Sequence, residues 1–195
     1  MNKGRIEAFT DAIIAIVITI MVLDIKVPES YHIAALLKEW PSFFAYAISF
    51  FYIAVAWYNH HYMFSIINWI SKKTYWANML WLFVTCLFPV STAWIGEYIT
   101  YRGPEYIYFG LYTIWNLTYL ILSKNVINGI NEQKDIDKIY SMSTYKLLNN
   151  YWFIGFTVFA IVLIWFYPPI ALIFTFIEAA IGFINTNPDS DRLNN

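Results

Sequence analysis

Four titratable side chains lie in or at the edge of long apolar stretches: Asp11, His60, His61 and Glu178. Asp11 opens directly onto Ala12-Ile13-Ile14-Ala15-Ile16-Val17-Ile18-Thr19-Ile20-Met21-Val22-Leu23, a run with no charge and one hydroxyl. If such a run lies in lipid, a carboxylate at its mouth is expensive unless it faces protein, water or a cation. Asp11 therefore reads either as a group solvated at the headgroup boundary or as a partner of polar residues on other helices. Glu178 carries three open readings: a proton relay, a subunit-interface contact, or a protonated and silent carboxyl. The neighbours His60 and His61 diverge by roughly 100° around a helix, which makes them a poor metal clamp. No HExxH, GxSxG or Gly-rich phosphate loop occurs. Neither an enzymatic reaction, a resident metal nor an organic cofactor is expected. Asn116 reads as an interhelical hydrogen-bonding group.

The elements that must hold these groups follow from composition. The 195 residues are 59% apolar and 13% charged, with nine Trp, 16 Tyr and 16 Phe and a mean hydropathy of +0.50. Twelve basic and 13 acidic residues are too few to coat a water-soluble globule, whose surface is about a quarter charged or more. Lipid is the implied solvent for most of the surface. Disorder, a disulfide scaffold and nucleic-acid binding are excluded by the same composition. The single Cys86 forms no internal disulfide.

A bilayer core needs about 20 apolar helical residues. On that measure the chain is a single all-α integral membrane domain, residues 1–195, with six transmembrane helices at about 6–27, 41–67, 74–98, 105–123, 147–167 and 169–186. Pro168-Pro169 enforces the last break, since neither residue continues a preceding helix. The long polar connection between spans four and five, Asn125 to Lys146, is expected to be exposed and partly helical. A cleaved leader is not expected at the N-terminus, because the first apolar run ends in Leu23-Asp24-Ile25-Lys26 without a small-x-small site. With the N-terminus inside, Lys3, Arg5, Lys72, Lys73, Lys124, Lys134, Lys138, Lys146 and Arg192 fall on the cytoplasmic side. Only Lys26, Lys38 and Arg102 fall outside. The positive-inside rule then predicts a multi-pass protein of the cell membrane with both termini cytoplasmic.

Within the first span, Ile16, Thr19, Ile20 and Leu23 stand at i, i+3, i+4 and i+7 and share one helix face. Spacing alone leaves that face lipid-facing or packed, and a threonine can satisfy its own hydroxyl on the i−4 carbonyl. The stretch Arg5…Phe9-Thr10-Asp11-Ala12-Ile13-Ile14-Ala15-Ile16…Thr19…Leu23 resembles the first-helix signature of the transmembrane protein 175 family, potassium channels of endolysosomes with six-helix prokaryotic relatives. The second span resembles the same family through Trp57, His60, His61 and Phe64 in the spacing W-x-x-H-H-x-x-F. The third does so through Asn78, Leu80 and Phe88-Pro89. Thr10 stands where the family pattern has Ser, which keeps the hydroxyl and adds a methyl group.

The resemblance implies a homotetramer in the bilayer, with a central pore lined by the first helix of each subunit and potassium as the permeant ion. Position by position, Ile16 becomes the narrow apolar ring, Thr19 a hydroxyl ring one turn further out, and Ile20 and Leu23 further apolar layers. Arg5, Phe9, Thr10, Asp11, Trp57, His60, His61 and Asn78 become a structural polar network behind the pore, in which His60 or His61 bonds the Asp11 cluster. No TVGYG-type filter occurs in the chain. Selection is then expected to rest on the cost of partly dehydrating the ion at Ile16, offset at Thr19. The rival expectation is a proton-coupled secondary transporter using Asp11, His60, His61 and Glu178 as relay groups. Carriers of that kind show repeats and helices broken at the midplane, and the sequence shows no matching halves.

Overall fold

A computed structural model describes residues 2–186, and every regular element among them is a helix. Arg192, counted above among the inner charges, lies outside the described residues. Helix α1 spans Lys3–Ile20 and tightens into a 3₁₀ turn over Met21–Asp24. It starts where Asn2 offers its side-chain oxygen to the Arg5 N–H at 3.3 Å, a capping geometry that satisfies one of the first turn's free donors. A short exposed helix, α2 (Ile33–Lys38), follows in the connection between the first two expected spans. Helix α3 runs over Trp40–Ser65 with Pro41 in its first turn, the position where a missing N–H costs nothing.

The segment expected as one helix over 74–98 is two. Helix α4 (Lys72–Thr85) begins at Ser71, whose hydroxyl accepts the Thr74 N–H at 3.0 Å. Helix α5 (Phe88–Glu97) follows after Cys86 and Leu87, with Pro89 in its first turn. Pro89 has no N–H to give to the carbonyl four residues back, so the hydrogen-bond ladder is interrupted there. Helix α6 (Arg102–Ile127) is continuous over 26 residues. The polar connection folds into two short helices, α7 (Gln133–Ser141) and α8 (Ser143–Leu148), which bury Ile139, Tyr145 and Leu148 and expose most of their charges. Helices α9 (Tyr151–Phe166) and α10 (Ile170–Ile184) flank the expected break at Pro168-Pro169.

Three segments of the described chain are long and apolar enough to cross a membrane: Lys3–Asp24, Trp40–Ser65 and Lys72–Glu97. Helices α9 and α10 are apolar but shorter, at 16 and 15 residues, or roughly 24 Å of helix against a hydrocarbon core of about 30 Å.

Helix α6 is the hub. It packs against α4, α5, α9 and α10, while α3 packs against α5 and α10, and α1 leans on α3, α4 and α5. The centre is aromatic: Trp81, Phe88, Tyr108 and Trp115 are fully buried, with the Trp81 and Trp115 rings 5.5 Å apart. Two glycines set close approaches. A Cβ at Gly96 would meet the Ser42 backbone at 2.8 Å, so α5 can lie this close to α3 only because that side chain is missing; one at Gly182 would meet a Val55 side-chain methyl at 2.7 Å, so the valine would have to shift.

Candidate functional site

Helix α1 has two unlike faces. Ile6, Thr10, Ile14, Val17 and Met21 are buried; their spacing of three or four residues draws one stripe along the helix. Across from them, Ile16 (56% exposed), Ile20 (45%) and Leu23 (78%) are left largely open by the rest of the chain. Thr19 is exposed on the same side, and its hydroxyl lies 2.7 Å from the Ala15 carbonyl and 3.0 Å from that of Ile16. The hydroxyl proton is thus committed to the helix's own backbone, which leaves the oxygen lone pairs as what Thr19 presents outward.

The buried face is pinned by a polar chain across three helices. Asn78 on α4 donates through Nδ2 to Thr10 Oγ1 at 2.9 Å. Its Oδ1 lies 2.9 Å from His60 Nε2 on α3. Because Asn78 spends its amide nitrogen on Thr10, its oxygen must accept, and His60 must donate from Nε2. The imidazole is clamped between Phe64 (ring centroids 4.1 Å apart) and Trp81 (5.1 Å, nearly parallel). Thr10, His60 and Asn78 are all at most 1% exposed, so each of these bonds is made away from water. Asp11 is held separately: Trp57 Nε1 donates to its Oδ1 at 2.7 Å, and the Trp57 ring lies against His61 with centroids 6.4 Å apart.

The eight residues expected behind the pore therefore divide. Thr10, His60 and Asn78 form one buried chain, while Asp11, Trp57 and His61 form an adjacent, more exposed group. His60 reaches Thr10 through Asn78, whereas the Asp11 carboxylate takes an indole N–H. Arg5 and Phe9 belong to neither: both are exposed, Phe9 by 50%, since the helical turn that buries Ile6 and Thr10 carries positions 5 and 9 outward.

Deeper in the chain, Asn116 makes the interhelical hydrogen bond expected of it and meets Glu178 through Tyr52, a partner that the sequence does not indicate. Tyr52 on α3 donates to Asn116 Oδ1 at 2.8 Å and lies 3.3 Å from Glu178 Oε1. One turn away, Ser49 joins the Tyr108 hydroxyl and Thr92, each at 2.9 Å. Glu105, fully buried in the first turn of α6, accepts the Ala171 N–H at 3.2 Å. A carboxyl group from one helix thus caps the N-terminus of another, where free N–H groups and the helix dipole favour an oxygen acceptor. The only sequence signal was an acidic residue after Gly103-Pro104, which reads as a helix start rather than a tertiary cap.

The α1 signature and its partners agree with a family model described as "Endosomal/lysosomal potassium channel TMEM175", which matches residues 5–89. A potassium channel of Chryseobacterium sp. (strain P1-3) is 37% identical over 185 residues, covering 94% of both chains. The chain belongs to the TMEM175 family. Its fold matches the crystal structure of a lysosomal potassium-selective channel TMEM175 homolog from Chamaesiphon minutus, with a TM-score of 0.81, 28% identity and coverage of 95% of this chain and 98% of that one. The endosomal/lysosomal proton channel TMEM175 of Homo sapiens is 37% identical over 76 residues, 33% of this chain and 15% of the human protein. The family model's match, residues 5–89, covers the segment that holds α1 and its anchor through Asn78 and His60.

Proposed function

We propose that this TMEM175 member is a homotetrameric potassium channel of the cell membrane, with six spans per subunit, both termini cytoplasmic, and a central pore lined by α1. The observation that carries this reading is the two-faced α1: one stripe is locked into its subunit by Thr10, Asn78 and His60, while Ile16, Thr19, Ile20 and Leu23 are left uncovered. Four such helices around an axis would turn the uncovered residues into rings. Closed symmetry is how identical subunits bury equivalent surfaces.

Selection in this reading needs no carbonyl filter, because the α1 backbone carbonyls are already bonded within the helix. A narrow ring of Ile16 dewets and closes the path. Widened, it admits an ion only after partial loss of hydration, which favours potassium over the more tightly hydrated sodium. The Thr19 oxygens, with their protons turned to the backbone, then face the partly stripped ion as acceptors.

The test is the reversal potential of purified protein in a planar bilayer under opposed potassium and sodium gradients. Single-channel steps reversing near the potassium equilibrium potential are expected. Absence of conductance, with proton-dependent uptake in liposomes, would overturn the channel in favour of the carrier and shift attention to Asp11, His60, His61 and Glu178.

A further inference from the structure

A cavity of about 40 Å³ lies between α3, α6, α8 and α10, away from α1. Asn59, Asn116, Tyr119 and Glu178 are among its walls. Three of these present buried polar atoms that no protein group satisfies: Asn59 Oδ1, Asn116 Nδ2 and Tyr119 Oη. The residues are only 1%, 3% and 2% exposed. The other halves of the two amides are already committed, Asn59 Nδ2 to the Val55 carbonyl at 2.9 Å and Asn116 Oδ1 to Tyr52 at 2.8 Å. The amides are therefore held in place with their remaining atoms unmatched, and a buried polar group left unmatched pays its full desolvation penalty. Three such groups around one cavity call for a ligand.

Their chemistry identifies it. Asn59 Oδ1 can only accept, Asn116 Nδ2 can only donate, and the Tyr119 hydroxyl can do either. A bare cation is repelled by the amide N–H and an anion by the carbonyl oxygen. A molecule that both donates and accepts fits all three, and the volume holds roughly three molecules of water size. We propose that the cavity is a built hydration site for two or three waters, linking Asn59, Asn116 and Tyr119 and keeping the Glu178 carboxyl in contact with solvent. The contact runs toward the α8 end, where the wall is formed by the half-buried Ser143 and Thr144. This site assigns Glu178 a water-facing role inside one subunit, and it holds whether or not α1 lines a pore.

The decisive experiment is a density map of the full-length protein in lipid nanodiscs or crystals at a resolution that shows ordered water. At least two peaks within hydrogen-bond distance of Asn59 Oδ1, Asn116 Nδ2 and Tyr119 Oη are expected. An unfilled cavity, or elongated density from a lipid or detergent tail, would overturn the proposal. So would an anomalous peak there in rubidium-soaked crystals, which would make it a cation site. As an independent measurement, Asn59→Leu removes a water partner of similar shape and is expected to lower the thermal midpoint in detergent. An unchanged or higher midpoint would mean that a dry cavity had been relieved of an orphaned oxygen, against the proposal.

Discussion

Helices α1 and α9 are both strongly apolar and both largely uncovered by the rest of the chain, yet they are held in different ways. Helix α1 buries a regular stripe from Ile6 to Met21 and ties it through Thr10 to Asn78 and His60. Helix α9 buries only Ala160 and Ile164 and exposes Trp152, Phe156, Phe159 and Trp165 on several sides. Each carries a threonine bonded to its own backbone four residues back, Thr19 at 2.7 Å and Thr157 at 2.8 Å, so a lone hydroxyl does not distinguish them. What distinguishes them is rotation. A buried chain of side-chain bonds through Thr10, Asn78 and His60 fixes which residues of α1 face outward, whereas α9 offers α6 a backbone carbonyl, Ile161, to an exposed bond from the Tyr106 hydroxyl at 3.2 Å and is otherwise mostly apolar around its perimeter. A ring around an ion needs the first property; a wall against acyl chains needs only the second.

The largest effect should come from removing that rotational lock. Asn78→Leu leaves Thr10 and His60 without their shared partner in a buried setting, at about 1–3 kcal/mol for each orphaned group. Thermal unfolding in detergent should show a marked drop, while Thr157→Val on α9 should stay within about 0.5 kcal/mol of the parent. Equal shifts for the two would mean that α1 is no better registered than α9.

Next in size is the effect on ions. Ile16→Asn places an amide in the proposed apolar ring and should reduce potassium-over-sodium discrimination by about tenfold, or ~1.4 kcal/mol between the two ions. Val162→Asn, on the exposed side of α9, should leave the reversal potential where it was. A shift with Val162→Asn, or none with Ile16→Asn, would exchange the roles assigned to the two helices.

The same contrast explains how much was legible from residues alone. The two-faced pattern of α1 is local, repeating every three or four positions, and so spacing alone groups Ile16, Thr19, Ile20 and Leu23. Helix α3 at Trp40–Ser65 and the break at Pro168-Pro169 follow from an uncharged run and from proline geometry, which are local as well. The interruption at Cys86 and Leu87 was equally local, but Pro89 was read as a family marker rather than as a helix start. Tyr52 and Glu105 were not legible for a different reason. Their partners lie 64 and 126, and 66, residues away, and nothing in the neighbourhood of a tyrosine or glutamate announces a partner on another helix. Arg5 and Phe9 show the converse: a motif joined them to Thr10 and Asp11, but helix geometry turns them outward.

A smaller effect is expected at Thr19, where oxygen and shape can be separated. Thr19→Ser keeps the outward lone pairs and should conduct much as the parent does. Thr19→Val keeps the shape and loses them, and single-channel potassium conductance should fall by about threefold, or ~0.6 kcal/mol. The equivalent pair at Thr157 should change neither conductance nor selectivity. If Thr19→Val conducts normally, the α1 hydroxyl is as silent as its α9 counterpart.

The smallest effects belong to the contacts just beyond the C-terminal end of α1 and at that of α9. Lys26 Nζ meets Glu97 Oε1 at 2.6 Å between exposed side chains, and the Arg102 guanidinium sits 4.3 Å from the centroid of the Trp165 ring. The Glu97 hydrogen bond raises Lys26 above its ordinary lysine value. Lys26 in turn holds Glu97 below the usual carboxylate range, so the pair is intact between the two free pKa values, fading only as pH climbs through the raised lysine value or falls through the lowered carboxyl one, and stability should be flat around neutrality. Lys26→Gln should barely move the thermal midpoint, and less still in high salt, which screens exposed charges. Arg102→Ala should cost about 0.5–1 kcal/mol and resist salt better, because the guanidinium also covers apolar ring surface. A larger, salt-sensitive loss at Lys26 than at Arg102 would show that α1 is secured at its end by charge, and that the buried chain through Asn78 is not its main anchor.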